Sequence, residues 1–237
     1  MARKYEAEQL LRQGFCPSEI AGQMGISVKS VIQYLCTQVG EGSLRLSDLY
    51  FSWTPEKRAI LKRAGQESYV DDRTLSSNGL CREDLKLFES LRSRGVFKGD
   101  MYEYISEAEI ALHQLVRATL QRVLGVEETG WWRDGIPSNI RVKCATRREE
   151  DDQPCEAAYA YTTLIELSVV ISKNWAMFQP ILPKEYAGDK RPLERDLIRL
   201  NGIRNAVMHP VKERTWTESD FEFVRRFSGL FKAIEVA

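Results

Sequence analysis

The chain has 237 residues, of which 43% are hydrophobic and 29% are charged, a composition typical of folded globular protein and not of disorder. Its 34 Lys and Arg balance its 34 Asp and Glu, which excludes attraction of nucleic acid by the net charge of the whole molecule and leaves only local patches for such binding. The N-terminus MARKYEAEQ lacks the apolar core of a signal peptide, and no apolar run is long enough to span a bilayer, so we expect a cytoplasmic protein with no membrane partner.

The first fifty residues predict three short helices, at residues 5–13, 17–24 and 27 to about 38. The joint between the second and third reads PSEIAGQMGISVKSVIQYL. Ala21 is small enough for two helices to cross, Gly25 can take a positive φ in the turn, and β-branched Val31 can lock the third helix. These offsets predict a helix–turn–helix module.

Residues 5–38 resemble the helix-turn-helix of DNA-binding regulators. The resemblance implies that the third helix enters the major groove and presents Ser27, Lys29, Ser30 and Gln33. The module nevertheless lacks the basic excess of most groove binders, and a protein partner is the alternative to DNA. The following segment, EGSLRLSDLYFSW, alternates apolar and polar residues and predicts a short wing or strand, so we assign residues 1–52 to this domain.

Residues 53–99 predict a helical connector, with helices from Thr54-Pro55 to Gly65 and from about Arg82 to Arg94. The first helix is basic, and its cations either contact nucleic acid or form a solvated surface, the interpretation that we favour. These cations are Lys57, Arg58, Lys62 and Arg63.

Residues 100–237 predict an all-α bundle of four to five helices. Its first helix, residues 100–124, has a polar row at intervals of four: Glu109, His113, Arg117 and Gln121. Its expected buried side consists of Ile105, Leu112, Val116, Leu120 and Val123. Residues 125–155 predict a break with an exposed loop, TRREEDDQP, followed by helices at 156–178, about 193–208 and 219–234.

The stretch NGIRNAVMHP, residues 201–210, places polar groups at the end of an apolar helix. Pro210 predicts that the helix stops near Met208, which leaves His209 free to turn toward Arg204. The structural interpretation is a C-terminal cap, with His209 at the helix dipole and Arg204 in a surface ion pair.

The C-terminal half resembles the HEPN superfamily over about residues 101–237. The matching segments, in order, are EAEIALHQLVRATL, GWW, SKNWAMF and LIRLNGIRNAVMHP. The resemblance implies a metal-independent endoribonuclease that acts as a homodimer on RNA, as a toxin with an antitoxin partner or as a phage-defence effector. In it, His209 acts as general base or acid on the ribose 2′-hydroxyl, Arg204 stabilises charge on the phosphate, and Asn205 orients the histidine or the phosphate.

Several other residues leave two interpretations open. Glu109 and His113 either line the HEPN cleft or form a ladder on the helix surface. Trp131, Trp132 and Trp175 either stack on bases or, as we favour, lie in the core. The second hypothesis for the whole chain is a helix-turn-helix regulator whose HEPN half is a non-catalytic dimerisation or interaction module.

The five cysteines are widely scattered, and the chain has only two histidines. They are Cys16, Cys36, Cys81, Cys144 and Cys155, and no two have the close spacing of a zinc site. Phosphate-loop, GxSxG and HExxH motifs are also missing from the sequence. We therefore expect buried free thiols, no metal and no cofactor.

Overall fold

The computed structural model describes residues 3–66, 72–93, 97–155, 157–209 and 216–234. Within these ranges every regular element is helical and no strand is present, so the chain belongs to the all-α class. The chain divides into two compact units, Met1–Asp100 and Met101–Ala237. Among the described helices, none is long and apolar enough to cross a membrane.

Seven short helices lie within the described residues of the first unit. They are α1 (Arg3–Arg12), α2 (Pro17–Met24), α3 (Val28–Gly40), α4 (Leu46–Tyr50), α5 (Pro55–Ala64), α6 (Asp72–Ser77) and α7 (Arg82–Ser93). The joint between α2 and α3 has the three predicted features. Ala21 is buried, Gly25 has a φ of 62°, and Val31 is fully buried. Helix α3 also begins as predicted, because the Ser27 hydroxyl accepts the backbone N–H of Ser30 at 3.1 Å.

The expected wing is absent from the described residues 41–53, where α4 forms a helical turn. Its first turn is stabilised by Asp48, which accepts the backbone N–H of Arg45 at 2.9 Å. The apolar residues Leu44 and Leu49 are both buried. Leu44 and Leu46 are two residues apart, as on one face of a strand, whereas Leu46 and Leu49 are three apart, as on one face of a helix, so the short pattern did not discriminate between helix and strand.

Residues expected to form a connector share one core with the first helices. Trp53, Leu61 and Phe88 are completely buried, in the same hydrophobic cluster as Ala7 and Leu35. The indole of Trp53 lies edge-on to Phe88 at 5.8 Å and donates to Asp84 at 3.3 Å. The segment is therefore part of the first unit and not a link beside it.

The second unit contains most of α8 (Phe97–Leu124), a π-helical turn (Glu128–Gly135) and α9 (Ser138–Glu149). A 3₁₀ turn (Ala158–Tyr161), α10 (Leu164–Lys173), α11 (Trp175–Phe178), α12 (Lys190–Met208) and α13 (Glu218–Lys232) follow. The predicted buried side of α8 is correct for four of its five residues. The fifth, Val123, is 50% exposed.

Two predictions for the middle of this unit were wrong. Residues 125–155 are not a simple break, because α9 lies within them and buries Ile140 and Cys144. The single helix expected at 156–178 is divided, since Thr163 caps α10 through a hydrogen bond with Glu166. The carboxylate of Glu166 also accepts hydrogen bonds from both terminal nitrogens of Arg147, at 2.7 and 2.8 Å, and these bonds join α9 to α10.

The thiols are only partly as expected. Cys16 and Cys144 are buried, Cys81 is half-buried, and Cys36 and Cys155 are exposed. Burial raises the pKa of Cys16 to about 11 and that of Cys81 to about 11, so neither thiol is a ready nucleophile near neutral pH.

Candidate functional site

Helix α12 ends at Met208, as predicted, and His209 is the first residue beyond it. The backbone of His209 leaves helical geometry, with φ −125° and ψ 65°, while its N–H donates to the carbonyl of Asn205 at 3.1 Å. The His209 side chain is exposed and Asn205 is half-buried. Pro210, which carried the prediction, lies outside the described residues. The helix end therefore holds the imidazole at the surface, one turn after Asn205.

Arg204 is fixed by a carboxylate from another helix. Its Nε donates to Oε1 of Glu109 on α8 at 3.2 Å, and both side chains are partly exposed. No hydrogen bond or ion pair joins Arg204 to His209 in the part of the chain that the structure describes. Glu109 therefore neutralises part of the charge of Arg204 and restricts its orientation, while the other guanidinium nitrogens keep donors for a phosphate.

The arrangement separates the two residues that the sequence placed together on α8. Glu109 contacts Arg204 on α12, a partner that neither interpretation from the sequence had named. His113 lies one turn further on, and its ring meets Tyr159 edge-on at 5.3 Å. Burial lowers the pKa of His113, and a hydrogen bond with the backbone of Thr162 opposes this only in part. His113 is therefore a packing residue of the interface between α8 and the 3₁₀ turn.

The tryptophans also differ from one another. Trp131 is 5% exposed and lies in the core, as expected. Trp132 and Trp175 are only half-buried, so the prediction of a core position is wrong for both. Trp132 lines an open groove together with side chains of α9. Sequence reasoning missed the groove-lining side chains of α9, Arg141 and Arg148 among them, because it treated residues 125–155 as a break, although Ile140 and Cys144 have helical spacing.

In the first unit, the side chains assigned to groove recognition share an accessible face of α3. Ser27, Lys29 and Gln33 are exposed, and Ser30 is half-buried. The hydroxyls of Ser27 and Ser30 are 2.8 Å apart and hydrogen-bonded to each other. The capping role of Ser27 thus ties up part of the hydrogen-bonding capacity that a base contact would need.

The basic side chains of the expected connector are less accessible than their number suggests. Lys57 forms an ion pair with Glu19 at 2.6 Å. Arg58 is 6% exposed, lies over the rings of Tyr50 and Phe51, and donates to the carbonyl of Trp53 at 2.9 Å. These two cations stabilise the unit through contacts within it, so neither belongs to the solvated surface that we favoured, and neither is freely available to nucleic acid.

No protein-family model matches the chain, and no curated protein or solved structure matches it. Within the described ranges, no group of three or more His, Cys, Asp or Glu side chains could hold a metal ion. A functional assignment therefore rests on the motif at the end of α12, its ion pair with α8 and the surfaces around them.

Proposed function

We propose that this chain is a metal-independent endoribonuclease of HEPN type that acts as a homodimer, as a toxin or a host-defence effector. The observation that carries the proposal is the end of α12, where Glu109 orients Arg204 and the chain exposes His209 beside Asn205. The ion pair alone also fits a purely structural role for Arg204. The functional interpretation is favoured because an arginine, an amide and a histidine together at one accessible helix end match the chemistry of RNA cleavage.

The proposed reaction needs only groups of the chain and of the RNA. His209 removes the proton of a ribose 2′-hydroxyl, and the 2′-oxygen attacks the adjacent phosphorus as the bond to the 5′-oxygen breaks. The leaving oxygen takes a proton, from the imidazolium or from the second copy's histidine, which yields a 2′,3′-cyclic phosphate and a 5′-hydroxyl. Imidazole suits both transfers near neutral pH, and Arg204 stabilises the charge that develops on the phosphate oxygens.

The first experiment incubates wild type and His209→Ala with a mixed-sequence RNA and with the matching DNA, in EDTA. We expect RNA alone to be cut, by wild type alone, and the fragments to end in cyclic phosphates. Arg204→Ala should also be inactive. Arg195→Ala is the matched control, since Arg195 is an exposed arginine of the same helix, and it should cut like wild type. Absence of cleavage by folded, dimeric wild type would overturn the proposal.

The second candidate function is a DNA-binding regulator in which the HEPN half does not catalyse. It is favoured by the accessible face of α3 and by the left-handed turn at Gly25 that precedes it. A pool of random duplexes should then yield a bound sequence, and Gln33→Ala should weaken that binding or relax its specificity. Failure to enrich any duplex would exclude this candidate, whatever the outcome for RNA.

A further inference from the structure

An open groove in the second unit combines aromatic and basic side chains. It encloses about 400 Å³, within the usual range for small-ligand sites. Trp132 and Tyr159 form one wall, with the indole edge-on to the phenol ring at 6.3 Å. The lining also includes one face of α9, where Arg141, Ala145 and Arg148 follow one another at helical spacing.

The described side chains that line this groove carry positive charge only. None of them is acidic, whereas Arg141 and Arg148 are both present. Arg148 also pairs with its exposed neighbour Glu149 at 3.0 Å. Small side chains, such as Ala145 and Ala158, leave room between the arginines and the aromatic wall. The chemistry of the groove therefore fits a ligand that is both flat and anionic.

Arg141 lines the groove with a guanidinium whose Nε has no hydrogen-bond partner among the described residues. This Nε is itself closed to the groove, so a ligand there would contact the terminal nitrogens of Arg141. Guanidinium geometry matches phosphate oxygens.

The position of the groove relates it to the Arg204 motif through one face of α8. Glu109 contacts Arg204, His113 one turn later contacts Tyr159, and Arg117 one turn later lies over the Trp131 ring at 5.5 Å. Eight residues of helix span roughly 12 Å. The aromatic wall and the Arg204 motif thus adjoin the same face of α8, at a separation that a short stretch of single-stranded RNA can bridge.

We propose that this groove binds an unpaired nucleotide of the RNA substrate, with its base stacked on Trp132 and its phosphate bound by Arg141 and Arg148. The inference rests on the proposed ribonuclease for the source of the nucleotide. It assigns the groove a role in holding the strand while a neighbouring phosphodiester lies at Arg204 and His209.

The test measures binding of a short, fluorescein-labelled 2′-O-methyl RNA, which has no free 2′-hydroxyl and cannot be cut. Binding is followed by fluorescence anisotropy, so a failure of catalysis and a failure of the groove give different results. We expect R141Q/R148Q to raise the Kd by about tenfold or more, since charge-assisted contacts are lost. It should also lower the salt dependence of binding. Lys143→Gln, which removes a charge from an exposed position of α9 outside the groove, is the matched control and should bind like wild type.

A Trp132→Leu variant tests the stacking contact while keeping an apolar side chain against Tyr159. Loss of stacking should raise the Kd by about five- to a hundredfold. Circular dichroism verifies that each variant is folded. An unchanged Kd in folded R141Q/R148Q and Trp132→Leu, or no binding by wild type, would overturn the proposal. Binding of adenosine monophosphate is measured for comparison. If this free nucleotide bound as tightly as the RNA, the ligand would be a free nucleotide and not part of an RNA strand, and the proposal would be overturned.

Discussion

At the scale of single residues, a substitution in the ion pair between Glu109 and Arg204 tests whether Arg204 has a catalytic or a structural role. Glu109→Gln keeps the shape of the side chain and removes its charge, so the guanidinium loses its anchor. Because the pair is partly exposed, we expect the free energy of unfolding to change by less than about 1 kcal/mol. We expect RNA cleavage to fall by roughly tenfold to a hundredfold, because misplacing a phosphate-binding group is costly.

The control for this variant lies two residues earlier. Glu107 has the same side-chain exposure as Glu109, 26%, and pairs with Lys232 on α13 at 3.0 Å. Glu107→Gln should leave the cleavage rate of the wild type unchanged. Equal cleavage by the two variants would show that the Arg204 pair is only a structural contact.

His113 should make stability depend on pH in a range where few other groups titrate. Burial lowers its pKa below the ordinary value of 6.5, so the unfolded chain binds the proton more readily than the folded one. Its contribution is fully present above about pH 6.5 and is lost as the pH falls toward the folded pKa. Urea unfolding between pH 7 and 5 should show a falling free energy of unfolding, and His113→Gln should flatten the curve. An unchanged slope in folded His113→Gln would contradict the assignment.

At the scale of the elements, the π-helical turn depends on Gly130. A Cβ at this position would collide with the backbone carbonyl of Leu124, which cannot move as a flexible side chain would. Gly130→Ala should therefore destabilise the protein by about 1–3 kcal/mol. Gly229→Ala in α13 is the opposite case, since its Cβ meets open space, and it should stabilise by about 0.5–1 kcal/mol. Thermal unfolding measures both, and equal effects would show that the turn tolerates a side chain.

At the scale of the whole molecule, each unit buries residues of its own. Among the described residues, the cluster around Trp53 extends from Ala7 to Leu91, and Phe221 is fully buried in the second unit. Calorimetry should resolve two unfolding transitions. Trp53→Ala should lower the free energy of unfolding of the first unit by about 3–5 kcal/mol and leave the transition of the second unit unchanged. Phe221→Ala should destabilise the second unit and leave the first unchanged. A single transition that both variants shift would contradict this separation.

The proposed ribonuclease acts as a homodimer, in which the second copy can supply its histidine to the site. Light scattering should give twice the mass of one chain, and RNA cleavage per chain should fall on dilution below the dissociation constant of the dimer. A monomer whose activity per chain is constant on dilution would exclude a site shared between copies.

The sequence by itself determined the helical class, the joint between α2 and α3 and the end of α12. These features depend on local chemistry, such as the left-handed glycine at 25 and the cap at Ser27, which neighbouring residues largely decide. Prediction from the sequence failed for the expected wing, where a short pattern fits both a strand and a helix. It also failed for α9, because its many polar residues made the segment resemble a loop.

Only the tertiary structure decided what each side chain contacts. Glu109, His113 and Arg117 form one row in the sequence, yet Glu109 contacts Arg204 while His113 and Arg117 contact aromatic rings. Trp131 and Trp132 are adjacent, yet one is in the core and the other lines a groove. Periodicity reports which residues share a face of one helix, but their partners come from segments distant in the chain, and packing between those segments selects them.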